Sequence, residues 1–364
     1  MNYKKSGDLV SLKQISEMTG VSVSTVGRIL SDPRHKCSNE QTRVKVIEAA
    51  RSIGYVPNTA ARNLKSGKGR QEKIYSINIL LTRSDPGALD PFYDEMLMLL
   101  EKELRQNSCI VHSIMRCTEF SDSRIKTAEL EAIADRLLAS QQEADGLIII
   151  GKVTHKALEQ IKAKEKNIIA INRDPTNHEV DEVLCDGARI AREAVAYLAR
   201  LGHSKIGFVG GCHNESRFSG YQAALSELRL SPDLDHIYDT TPSEAHGIAA
   251  LQYFKGLPDP PTAIYCANDI LAVGMLKGMD RRRLRDYFPS VISSDDIDAA
   301  QYTRPMLTTI SLPKTEMVRF ALMILLDRIK GGHKTVTRLE LEGRLIIRES
   351  CRRNFDQNEP EYYI

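Results

Sequence analysis

LKQISEMTGVSVSTVGRIL, residues 12–30, reads as two short helices around a tight turn. Leu12, Ile15 and Met18 recur at helical spacing, Gly20 supplies the positive φ that ends a helix, and Ser22 can cap the next one. In that second helix Val26, Ile29 and Leu30 are expected to face inward with Val21, and the small Ser16 lets the two helices cross closely. This is the spacing of a helix-turn-helix. A third helix is expected from a capping box at Ser38 and Gln41 to Gly54, with Val44, Ile47 and Ala50 closing a small core. Helix–glycine–helix alone also describes an ordinary helical bundle, so the surroundings decide. The first 70 residues hold 13 Lys or Arg against five acids, giving +8 there and −6 over the rest of a chain whose net charge is +2. A basic module of this kind meets a polyanion, and a larger body carries it.

Downstream, GYVPNTAARNLKSGK (54–68) places Pro57 to open a short helix at Asn58. That turn ends in Leu64 between Arg62 and Lys65, with little core to bury in. Such a leucine can wedge between base steps in a minor groove while its cationic neighbours approach phosphates. The stretch KSGKGRQEK (65–73) has glycine, charge and no apolar residue, the composition of a linker.

Beyond it, short β-rich runs alternate with helical stretches. YSINILL (75–81), CIVHSIM (109–115), DGLIIIG (145–151) and NIIAI (167–171) form one series; VDEVLCD (180–186), KIGFVGG (205–211), TAIYCA (262–267) and SVISSD (290–295) form a second, followed by TTISL (308–312), a helix near 314–330 and strand character around 335–348. Alternation of this type means parallel sheets covered by helices, and two series mean two subdomains with a cleft between them. Ligands of open parallel sheets bind at the carboxyl ends of the strands. Asn172, Arg217, Asn268, Asp269 and Asp295 each follow a strand or open the next helix, so they are expected to converge there. Amide, carboxylate and guanidinium groups suit the vicinal hydroxyls of a sugar, although each could also be a cap or turn former, Asp269 above all. Asp296 is expected to be a helix cap. The chain has no Trp, and Phe92, Tyr93 or Phe218 could supply a stacking ring.

GVSVSTVGRIL followed by GYVPNTAARNLKSGK closely resembles the headpiece and hinge helix of LacI/GalR-family transcription regulators. The likeness continues through CDGARIAREAVAYLARLGHSKIGFVGG (185–211), RFSGYQAAL (217–225), CANDILAVGML (266–276), SSDDID (293–298) and LTTISLPKTEM (307–317). The resemblance implies a helical headpiece and an α/β periplasmic-binding-protein-like core of two parallel-sheet subdomains. It implies a headpiece over 1–57, a hinge helix and linker over 58–73 and a core over 74–364. Within the core we expect an N-subdomain of about 74–173 plus 305–332, a C-subdomain of about 174–304 plus 333–350, and a tail over 351–364. By the same resemblance Ser22, at the cap, contacts DNA beside Val23 and Ser24, which read base edges, Arg28 reaches the major groove, and Asn58, Ala61, Leu64 and Lys65 form the hinge contact. Ser24 and Arg28 are four apart on one face, and an arginine fork fits guanine. Gly27 stands where the family usually has serine, Asn172 where it usually has aspartate, and Ser294 where an aromatic is common.

These features predict a sequence-specific DNA-binding regulator, a repressor of carbohydrate-utilisation genes whose affinity for palindromic operator DNA is set by a mono- or disaccharide in the cleft. A homodimer is expected because one recognition helix reads only a half-site. A corepressor-type or global regulator, and a cytoplasmic sugar-binding protein, are the alternatives. An enzyme would need a nucleophile or base in the cleft, and the sequence has no G-x-S-x-G, P-loop or H-E-x-x-H. His203 in LGHSKI precedes a strand away from the cleft and is expected to be structural. Neither metal nor cofactor is expected. No apolar run approaches the roughly 18 residues that cross a bilayer and no apolar leader follows Met1, so a cytoplasmic location without membrane is expected. The seven cysteines include no C-x-x-C pair and read as reduced thiols.

Overall fold

A computed structural model describes residues 12–31, 40–52, 73–83, 90–138, 144–177, 179–279 and 287–354. The chain divides into two compact units, Met1–Lys73 and Ile74–Ile364. In the first unit α1 (Leu12–Thr19), α2 (Val23–Ser31) and α3 (Glu40–Ser52) surround a core of Ile15, Val26, Ile29, Val46 and Ala50. Gly20 has φ +69° and its N–H donates to Ser16 O (2.9 Å), while Ser16 Oγ donates to Val21 O (2.6 Å), which fixes the turn. Ser22 Oγ accepts the Thr25 N–H (3.3 Å) and caps α2.

Two expected core positions are exposed instead. Met18 is 53% exposed and Val44 47%. The inward pair of α1 is Ile15 with Thr19, four apart, and that of α3 is Val46 with Ala50. At 100° per residue Met18 falls one step off its stripe, and Val44 lies about 200° round from Val46, on the solvent side.

The second unit holds two six-stranded sheets. The first runs β11 (Arg338–Glu340), β5 (Asp181–Leu184), β4 (Ile168–Asn172), β3 (Gly146–Ile150), β1 (Tyr75–Leu81), β2 (Cys109–Arg116), with every pair parallel. The second runs β12 (Arg344–Ile346), β10 (Thr308–Ser311), β9 (Ser290–Asp295), β8 (Ala263–Cys266), β6 (Ile206–Gly210), β7 (Ile237–Asp239), parallel except where β12 meets β10. Unbroken apolar strands such as GLIII in β3, buried at every position, are what a sheet covered on both faces requires. The covering helices include α4 (Pro91–Gln106), started by Asp90, and α11 (Lys314–Ile329), which returns to the first sheet.

The subdomain limits shift from those expected. β5 hydrogen-bonds to β4 and so belongs to the first sheet, β10 to β9 and so to the second, and the 333–350 stretch is shared between β11 and β12. The chain therefore crosses near 185, 312 and 342 rather than near 173, 304 and 332. The first two crossings fall between a strand and the helix that follows it and the third between the short strands β11 and β12, so the pattern of apolar runs gives no mark of them. Strand β7, short and at an edge, carries no alternation and was not expected.

Candidate DNA-reading helix and ligand cleft

On α2, Ser22, Val23, Ser24 and Arg28 are all exposed. Arg28 lies along the helix, its NH2 donating to Ser24 Oγ (3.2 Å) and its Nε to Ser24 O (3.4 Å). The two side chains expected to read bases thus form one polar surface. The other expected contacts, Asn58, Ala61, Leu64 and Lys65, lie outside the described residues.

In the second unit the carboxyl edges of the two sheets face each other across a cavity of about 70 Å³. Asn172, Arg217, Asn268 and Asp295 line it, as expected from their places at the end of β4, at the start of α8 (Ser216–Glu227), before α10 (Asp269–Gly278) and at the end of β9. Asn172 Oδ1 accepts the N–H groups of Arg173 (2.8 Å) and Asp174 (3.0 Å), bending the chain at the strand end. Asn268 Oδ1 caps α10 through the Leu271 N–H (3.4 Å) and still borders the cavity. Arg217 donates to Ala267 O. Asp295 has φ +128°, a conformation that costs a non-glycine residue energy and recurs at functional sites.

Asp269 does not line the cavity. Its carboxylate is fully buried and accepts from Ser293 Oγ (2.5 Å), Thr309 Oγ1 (2.6 Å) and the Ile297 N–H (2.8 Å), tying β9 to β10. Burial, with Asp295 nearby, pushes its carboxyl up to about 6. Its expected place in the ligand site is therefore corrected: position 269 points under the sheet because Asn268 takes the edge. Phe218 is likewise turned into the core, 5.1 Å from the Phe208 ring, whereas Phe92 and Tyr93 line the cavity edge to face at 5.2 Å. Asp296, expected to be a cap, pairs with Arg348 (2.7 Å).

Sequence reasoning missed the charges that close the cleft. Arg173 pairs with Asp295 across it and lies 4.6 Å over the Phe92 ring. Burial works against the Arg173 charge, but Asp295 together with Tyr93, Asp174 and Asp90 outweighs it and the Arg173 pKa is raised. Asp90 is pushed up by burial and by Asp295. Arg83 and Lys152 both meet Glu215. Asp174 accepts the Ser216 N–H (2.9 Å), and this contact with the nearby Arg217 keeps its carboxyl low in spite of burial. The signal was available: Arg83, Lys152 and Arg173 stand one or two residues past β1, β3 and β4, at the edge where such folds bind. His203 is buried away from this edge, between Thr262 Oγ1 (2.9 Å), Ser290 Oγ (3.1 Å) and Arg352 O (3.0 Å), as a structural tie. Among the described residues no cluster suits a metal ion and no helix is long and apolar enough to cross a membrane.

Residues 11–58 match the family described as "Bacterial regulatory proteins, lacI family", and residues 195–351 match a "Periplasmic binding protein-like domain". The HTH-type transcriptional repressor CytR of Escherichia coli (strain K12) is 30% identical over 362 residues, 97% of this chain and 99% of its own. The fold is shared with a transcriptional regulator CelR–cellobiose complex (TM-score 0.64, 23% identity, 94% of this chain and 100% of that one). It is shared too with the Lac repressor dimer bound to operator and the anti-inducer ONPF (TM-score 0.62, 22% identity, 94% and 99%). With an exposed reading helix in one unit, a polar cleft in the other and a full-length relative at 30% identity, the chain belongs to the lacI family of bacterial regulatory proteins and is a DNA-binding transcription regulator.

Proposed function

We propose that the protein is a homodimeric repressor that reads a palindromic operator through α2 and is released from it by a small sugar bound between the two sheets. The observation that carries this reading is the cavity itself: amide, guanidinium and carboxylate groups beside two aromatic rings, at the carboxyl edges of parallel strands, suit a polyhydroxylated ligand. A cavity of about 70 Å³ is far below the roughly 300 Å³ of the smallest ligand pockets. A recess of about 830 Å³ shares Arg83, Asp90 and Lys152 with this cavity but is not lined by Asn172, Asn268 or Asp295, so for a sugar to reach those three the two halves part or rotate, and ligand binding is a change of subdomain arrangement. An effector that favours one arrangement while operator favours another lowers operator affinity by the coupling free energy it loses on the operator. The relatives support this reading, one solved with cellobiose and one as a dimer on operator. We read the cleft as a binding site and not a reaction site because Arg173 and Asp295, and Arg83, Lys152 and Glu215, are committed to one another in ion pairs. Acting on DNA, the protein works in the cytoplasm.

The test is selection from random duplexes followed by an effector screen. The full-length protein should enrich a two-fold symmetric site, and a mono- or disaccharide that raises its melting temperature should release it from that site. Enrichment of an asymmetric sequence, or stabilising sugars that leave operator binding unchanged, would overturn the proposal.

A further inference from the structure

The pair of cations at the mouth of the cleft says more about the ligand than the hydroxyl-binding groups do. Leu81 of β1 and Ile150 of β3 are register partners on adjacent strands. Two residues further on, Arg83 and Lys152 therefore leave the sheet side by side, both from the first half of the core. They converge on a single atom of the second half, Glu215 Oε1, which accepts from Arg83 and from Lys152 Nζ (3.2 Å). Lys152 also donates to Asn214 O, one residue before. The Lys152 and Glu215 side chains are largely buried at 13% and 10% exposure. Two positive charges thus share one negative charge, inside a site where solvent screens them weakly.

The neighbouring acids restore the balance only in part. Asp174 accepts the Ser216 N–H and acts on Arg217, Lys152 and Arg83, and Asp295 is held by Arg173 with Asp90 beside it. When the halves part to admit a ligand, Glu215 moves away with α8 and Asp295 with β9, and three cations, Arg83, Lys152 and Arg173, remain with the first sheet against two acids, Asp174 and Asp90. A sugar hydroxyl accepts a hydrogen bond but brings no charge. A carboxylate or phosphate brings both, and a charge-assisted bond is about twice as strong as a neutral one.

We propose, resting on the reading of the cleft as the effector site, that the effector carries an anionic group on a sugar-sized polyol body, and that this carboxylate or phosphate takes the place of Glu215 between Arg83 and Lys152. Glu215 then acts as a resident stand-in that holds the cleft shut when no effector is present. Asn172, Asn268 and the Phe92 ring receive the polyol body.

The experiment has two arms on the full-length protein. In the first, inorganic phosphate is titrated by calorimetry into wild type, Glu215→Gln and Glu215→Gln with Lys152→Ala, at an ionic strength fixed with chloride. Freed of its resident carboxylate, Glu215→Gln should bind phosphate about tenfold or more tightly than wild type, and the double variant should lose that gain. In the second, the melting temperature of wild type is followed with glucose 6-phosphate, gluconate and glucose; the charged derivatives should stabilise more than the parent sugar. Equal phosphate binding by wild type and Glu215→Gln overturns the proposal, and so does a series in which neither charged derivative exceeds glucose. If glucose stabilises wild type as well as its derivatives do, the cleft stands as a sugar site and only the anionic group is lost.

Discussion

Asp295→Ala removes the second-half partner of the ion pair that spans the cleft. Both side chains are largely buried, Arg173 at 12% exposure and Asp295 at 5%. Breaking such a pair from one side costs about 3–5 kcal/mol, because the surviving charge is left desolvated. Two features reduce that cost here. Arg173 keeps the Phe92 ring beneath it at 4.6 Å, worth about 0.5–2 kcal/mol already in place, and it keeps Asp90, whose carboxyl Asp295 now pushes up and which would ionise more readily in the variant. A net loss of about 2–3 kcal/mol follows, which for a core of this size lowers the melting temperature by roughly 3–5 °C. Arg173→Met should cost a similar amount by leaving Asp295 and Asp90 facing each other. The double variant should lose less than the two singles together, by about 2 kcal/mol. Calorimetric unfolding of the four proteins at neutral pH and low salt measures the cycle. Additivity within about 0.5 kcal/mol would refute the cross-cleft pair.

Further predictions concern other parts of the chain. The raised carboxyl of Asp269, at about 6 in the fold against an ordinary 3.8, means that the folded state holds a proton the unfolded chain has released. Stability should fall as pH rises from about 4 to 6 and level off above, by about 3 kcal/mol at most; Asp269→Asn should flatten this slope in pH-dependent thermal unfolding, and a slope unchanged by the substitution would exclude Asp269 as its source. In the small helical unit Val46→Ala should destabilise by about 1–2 kcal/mol while Val44→Ala costs under about 0.5, read from its denaturant midpoint; the reverse order would restore the register expected from sequence. Arg28→Ala should reduce the ratio of specific to random-duplex affinity by about 1–3 kcal/mol per half-site and spare most non-specific binding, as competition binding reports. An unchanged ratio removes Arg28 from base reading.

The strands were legible because parallel sheets write themselves as apolar runs between polar ends, and those of β1 and β9 coincide with the structure to the residue. What periodicity could not supply was partnership. The acidic VDEVL run pairs with β4 in the first sheet although Asp181 and Glu182 are fully buried there, Asp181 held by Arg328 and the Thr337 N–H (2.8 Å) from far along the chain. The site was legible where a residue type and a strand end coincide, as at Asn172, Asn268 and Asp295. It was not legible at Asp269, where two adjacent polar residues stand at one helix start and only the backbone turn decides which faces the cleft. For the cleft cations the sequence offered position but not partnership: an arginine or lysine just past a strand also reads as a solvated end until the opposite carboxylate is placed against it.

In the proposed function, the cleft and the operator-reading unit are coupled through one equilibrium. Its most direct measurement is reciprocal: the operator dissociation constant with and without saturating effector, and the effector dissociation constant with and without saturating operator, for wild type and Arg217→Ala. For wild type both ratios are expected at about five- to 150-fold, and both should fall toward one in Arg217→Ala while its operator affinity without effector is unchanged. Ratios of one in wild type, or an Arg217→Ala protein that responds as wild type does, would contradict the coupling.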